Sequence, residues 1–194
     1  MHPTEYNLAL IEAMLEEIRA YLVSPELYWP LDRKAPRGSP AFPRLTLGGL
    51  ALAFDELAAQ EPQMDPAQSA SLTRLRLRFE QARRQHGAAI ATKAARELHS
   101  RLDLWQAYLA DLVDQPAAGE DYPHQVSNRV MAWRLIELAA AQPDLTQLRT
   151  RMGGLDDRLR GLFARGTFIW DPRLQAVYPP DSFWFLYGRP RSRS

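Results

Sequence analysis

The chain contains 15 prolines, yet one long stretch has none. No proline falls between residues 67 and 114, and apolar residues recur there at the three- and four-residue spacing of a helix with one buried side. One straight helix over 66–114 would measure ~75 Å at ~1.5 Å per residue, which is long for a domain of this size. Gly87 can end a helix. The sequence therefore predicts two helices, or one strongly kinked helix, with the break within "RRQHGAAI".

Helical periodicity also occurs on both sides of this stretch. An N-terminal helix ending before Pro25 and a second helix over 46–60 precede it, and two more cover 123–142 and 144–163. The helix over 123–142 is apolar nearly all round, which is typical of a central helix. These segments predict an all-α fold, a single helical bundle of five or six helices over residues 1–194.

Two segments do not follow the helical pattern. Residues 24–44 contain five prolines and predict an extended connection along the surface. Residues 166–187 contain seven aromatic side chains. Burying each large side chain favours the packed state by ~1.5–3 kcal/mol, so we expect this extended segment to lie on the bundle and to leave only 189–194 as a loose tail. The alternative is an exposed patch that binds a partner, formed by Phe183, Trp184, Phe185 and Tyr187.

Composition narrows the possible functions. The net charge of +1 argues against a dedicated nucleic-acid binder, and the absence of cysteine excludes disulfide scaffolds, thiol nucleophiles and cysteine-based zinc sites. The longest nearly apolar run, "LGGLALAF", is far shorter than the ~20 residues of a membrane span, and the acidic N-terminus lacks a signal-peptide pattern. We therefore expect a cytoplasmic protein without a membrane partner. The excess of arginine over lysine, together with abundant alanine, favours a GC-rich bacterial genome.

Sequence motifs predict no catalytic residue, no metal and no cofactor. The chain has no phosphate-binding loop, no dinucleotide-binding fingerprint and no nucleophile elbow. Its four histidines include no pair at the i, i+4 spacing of a helical metal site, and no E-x-x-H sequence occurs.

Charged residues at apolar positions are the strongest indication of a site. Viewed down the axis of the predicted central helix, Glu137 falls at an angle between those of Val126 and Val130. Arg101 lies within the apolar stripe of the preceding helix. A buried charge without a partner costs several kcal/mol, so we expect both residues to be mostly buried and paired. One interpretation is a polar pocket for a small molecule, and the other is a buried ion pair that fixes helix register. The pocket candidates are Arg101, Trp105, Asn128, Arg129, Arg134 and Glu137.

Three hypotheses about function remain. The leading hypothesis is a non-catalytic helical interaction or assembly protein, which binds itself or another protein and exposes an apolar patch. The second is a ligand-binding or enzymatic bundle with its site around Glu137 and Arg101. The third is a nucleic-acid-associated protein that uses the arginine-rich helix over 74–84, although a solvated helix face explains that cluster more simply.

Overall fold

The architecture is a bundle of helices with one long connection between the first two helices and an aromatic segment after the last. A computed structural model describes residues 3–114 and 116–191. Within these ranges the chain forms five α-helices and one antiparallel pair of strands, which confirms the all-α prediction. The elements are α1 (Pro3–Val23), α2 (Leu47–Gln60), α3 (Pro66–Asp114), α4 (Tyr122–Leu138), α5 (Leu145–Leu162), β1 (Phe163–Phe168) and β2 (Tyr187–Pro190). None of the described helices combines the length and the apolar character needed to cross a bilayer.

Helix α3 is the longest element, and it is broken where the sequence predicts a break. His86 has φ −128° and ψ 27°, which are not helical values. Gly87 does not adopt the left-handed conformation of a C-terminal cap, so the break lies one residue before the expected glycine. The kink lets both halves of α3 stay on the bundle. The second half contacts α1, α4 and α5 and meets the start of α2 at Glu97, while Phe79 of the first half stacks on Phe54 of α2 with ring centroids 5.7 Å apart.

The start of α2 fits closely against α3 and α4. Thr46 caps this helix, because its Oγ1 accepts a hydrogen bond from the Gly49 N–H at 2.9 Å. A Cβ at Gly48 would lie 2.7 Å from Oε1 of Glu97 and 3.0 Å from Cβ of Met131. Glycine at position 48 therefore allows the close approach of three helices.

The proline-rich connection lies on the surface, as predicted, where it contacts α1 and the second half of α3. Trp29 forms an isolated antiparallel bridge with Leu45, and its Nε1 donates a hydrogen bond to Glu17 at 2.6 Å. Further along the connection, Phe42 contacts the ring of Tyr6 with centroids 5.4 Å apart.

The aromatic C-terminal segment packs on the bundle, as predicted. Tyr122 of α4 donates to the carbonyl of Phe185 at 2.6 Å, and the indole N–H of Trp170 donates to the carbonyl of Pro123 at 2.7 Å. The buried members of the segment include Tyr178, Phe183, Phe185 and Leu186.

Two details of this region differ from the prediction. Helix α5 ends at Leu162, and the extended part of the chain begins with β1 at Phe163, three residues before the predicted segment 166–187. Residues 189–191 are not loose, because β2 pairs with β1 and the Arg191 N–H donates to the Leu162 carbonyl at 2.7 Å. Backbone pairing with a strand that follows α5 directly holds these residues in place. Residues 192–194 of the predicted tail lie outside the described residues.

We predict that the C-terminal segment is needed for stability. Truncation after Arg165 should leave an unstable or insoluble remainder, because it uncovers the core beneath Phe185. The Phe185→Ala change should lower the free energy of unfolding by ~3–5 kcal/mol, as measured by urea denaturation. Gln175→Ala, an exposed position in the same segment, should change it by less than about 0.5 kcal/mol. A stable, soluble truncated bundle would contradict this account.

Candidate functional site

Arg101 belongs to a buried polar cluster where α2, α3 and α4 meet. The carboxylate of Glu97 is fully buried and accepts hydrogen bonds from the Gly48 N–H at 3.1 and 3.2 Å. Arg101 donates to Glu97 at 3.1 and 3.2 Å and to Oδ1 of Asn128 at 3.2 Å. The Arg101 side chain is only 11% exposed. Arg101 is therefore mostly buried and paired, as expected, but its partner is Glu97, which the sequence analysis missed. The i, i+4 spacing of Glu97 and Arg101 in the sequence could have indicated this ion pair.

Glu137 does not join this cluster. It is exposed, and within residues 3–114 and 116–191 it has no side-chain hydrogen bond or ion pair. The prediction of a buried Glu137 was wrong because a projection down the helix axis shows the direction of a side chain but not its position along the helix. Val126 and Val130 lie in turns of α4 that face the core, whereas Glu137 is one residue from the helix end, at the edge of the bundle.

Two further pocket candidates lie in the core. Arg129 donates to both carboxylate oxygens of Asp156 on α5 at 2.7 Å, and its guanidinium lies 4.6 Å from the ring centroid of Phe185. Trp105 is fully buried and stacks on Tyr108 with centroids 5.6 Å apart. The Arg129–Asp156 pair joins α4 to α5, and Trp105 joins α3 to α4 through the ring of Tyr122, with centroids 6.2 Å apart. The six pocket candidates consequently do not surround one site.

The aromatic partner-binding candidates mostly face inward. Phe183 and Phe185 are buried by α4, so in this fold they are not available to a partner. Trp184 and Tyr187 are half-buried, and the Tyr187 hydroxyl donates to the Tyr178 carbonyl at 2.8 Å. The apolar side chains of this segment therefore pack against other parts of the same chain.

Trp133 on α4 is a large aromatic residue that does reach the surface. Its side chain is 38% exposed. One edge contacts the ring of Phe183 with centroids 5.7 Å apart, and the guanidinium of Arg129 lies 5.7 Å from its ring centroid. The chain therefore holds an exposed indole in a fixed position.

A first cleft lies between α2, the first half of α3 and the end of α4. Its volume is about 420 Å³, and Phe54, Phe79 and Leu138 form apolar walls. Asp55 lines it and accepts hydrogen bonds from Nε of Arg134 at 2.8 Å and from the hydroxyl of Tyr178 at 2.9 Å. Burial raises the pKa of Asp55 above its ordinary value, and the neighbouring guanidinium and hydroxyl offset part of that rise.

A second cleft lies on the other side of α4, against α5. Its volume is about 610 Å³. Trp133, Ile136 and Met152 supply apolar surface, and Arg149 contributes a charge. Arg134 and Glu137 line both clefts, so the two adjoin at the end of α4. We call the two clefts together the α4 groove.

No family model matches this chain. No curated protein and no solved structure matches it significantly either. In the described part of the chain, histidine, aspartate and glutamate form no group of three or more that could hold a metal ion.

We predict that the two glutamates differ sharply in their effect on stability. Glu97→Gln should lower the free energy of unfolding by ~3–5 kcal/mol, because it leaves the buried guanidinium of Arg101 without its charge partner. Glu137→Gln should change the free energy of unfolding of an isolated chain by less than about 0.5 kcal/mol, because Glu137 is exposed there. Chemical denaturation of both variants checks this, and equal effects would contradict the assignment.

We predict that the pKa of Asp55, followed by NMR of its carboxyl carbon, lies above the value of about 3.9 for an unperturbed aspartate. Since folding raises this pKa, the contribution of Asp55 to the free energy of unfolding falls as the pH rises from the unfolded pKa through the folded one. Arg134→Met should raise the pKa further, because the guanidinium favours the carboxylate. Arg76→Met is the control, because Arg76 lines the same cleft but binds Glu61. A lower pKa in Arg134→Met would contradict the argument.

Proposed function

We propose that this chain is a non-catalytic helical protein that binds another polypeptide through the α4 groove. The observation that carries the proposal is the exposed, fixed indole of Trp133. Tryptophan is among the residues most enriched where binding energy concentrates in protein interfaces, especially when it is preorganised beside a pocket.

The chemistry of the groove supports a polypeptide partner. Its walls are largely apolar, through Phe54 and Phe79 on one side of α4 and through Ile136 and Met152 on the other. Charged side chains stand among these walls and at the edge, where Arg149 is exposed. An apolar centre with a polar rim is the usual anatomy of a protein interface.

The groove is also held rigid by contacts within the chain. Arg134 is tied to Asp55 of α2, and its guanidinium lies 5.7 Å from the ring centroid of Tyr178 and 5.6 Å from that of Phe183. Helix α2, helix α4 and the C-terminal segment thus meet at one side chain. A surface that is ordered before binding loses less side-chain entropy when a partner arrives.

Site-specific photo-crosslinking in the native cells tests this proposal. A benzophenone amino acid at position 136, inside the groove, should give one discrete protein adduct. The same group at position 104, an exposed apolar site on α3 outside the groove, should not give it. Trp133→Ala should reduce the adduct strongly, because it removes the central apolar contact. Equal labelling from both positions, or no adduct from position 136, would contradict the proposal.

A further inference from the structure

We infer that the polypeptide bound in the α4 groove is a second copy of this chain, related to the first by a twofold axis. The inference rests on the proposed function and adds the identity of the partner. It concerns the second cleft, between α4 and α5, where Trp133 lies.

Two unpaired charges of opposite sign carry the argument. Glu137 and Arg149 are both exposed and both line the second cleft. Across the described ranges, neither forms an ion pair or a side-chain hydrogen bond. A binding partner that complements this cleft must therefore offer a cation to Glu137 and an anion to Arg149.

A second copy meets that requirement without any further residue. Contacts across a twofold axis are reciprocal, so Glu137 can pair with the partner's Arg149 while Arg149 pairs with the partner's Glu137. The interface of such a dimer thereby contains the Glu137–Arg149 ion pair twice. The same symmetry brings Trp133 and Ile136 against the equivalent apolar surface of the other copy, which removes the exposed indole from water.

The first cleft is a weaker candidate for such an interface. Apart from Glu137, its charges are already paired within the chain: Asp55 with Arg134, Arg76 with Glu61 and Arg83 with Glu80. Recruiting any of these for a partner would break an existing pair. The complementary free charges thus belong to the second cleft.

Sedimentation of the purified protein and its charge variants tests the inference. The wild-type chain should form a dimer that weakens as salt rises, since its rim pairs are partly exposed. Glu137→Arg places cations at both unpaired positions, 137 and 149, and Arg149→Glu places anions at both. Each variant alone should dimerise more weakly than wild type by more than about tenfold, because like charges then face each other. Mixing the two should give a one-to-one heterodimer, and combining both changes in one chain should restore the homodimer.

The controls separate this result from misfolding. Arg158→Glu changes the same charge on the opposite side of α5, outside the groove, and should leave the dimer intact. Circular dichroism should be unchanged in every variant. A monomeric wild-type chain at all concentrations, single variants that dimerise like wild type, or a mixture that does not associate would each overturn the inference. If position 136 crosslinks only to a different protein, the second copy is wrong while the proposed function stands; if it crosslinks to nothing, both fail.

Discussion

The arrangement of the helices depends on the interactions of one buried carboxylate, that of Glu97. A fully buried charge is costly unless hydrogen bonds and an opposite charge replace water. Here the N–H of Gly48 and the guanidinium of Arg101 do so, and the positive end of the α2 dipole adds to them. The start of α2 is thereby fixed on α3. Asp55, further along α2, is then in place to hold Arg134 at the α4 groove.

Local periodicity was sufficient to predict the helical part of the fold. The spacing of apolar residues located the five helices of the described residues, and the lone glycine of the 67–114 stretch indicated a break that lies at His86. Such signals are local, because a helix buries one face whatever it packs against. The docking of the aromatic segment was predictable for a related reason, since that much apolar surface must leave water.

What could not be predicted depends on contacts between distant residues. The pairing of β1 with β2 joins residues on both sides of a long connection, and it uses Gly188 at φ 146°, where a side chain would meet the carbonyl of Ala164. Glu137 was assigned to a buried face from its angle around the helix axis alone, yet it is exposed, as is Trp133 of the same helix. Their exposure depends on where the neighbouring helices end, and no local pattern records this.

The aromatic segment contributes to the groove without itself being the surface that a partner contacts. Phe183 packs against the edge of Trp133 and lies beside Arg134, while the Tyr178 hydroxyl shares Asp55 with the same arginine. Docking of the segment therefore fixes the side chains of Trp133 and Arg134 in the α4 groove. The shape of the groove therefore depends on the docked C-terminal segment, because Phe183, which is itself buried, also contacts the exposed indole of Trp133.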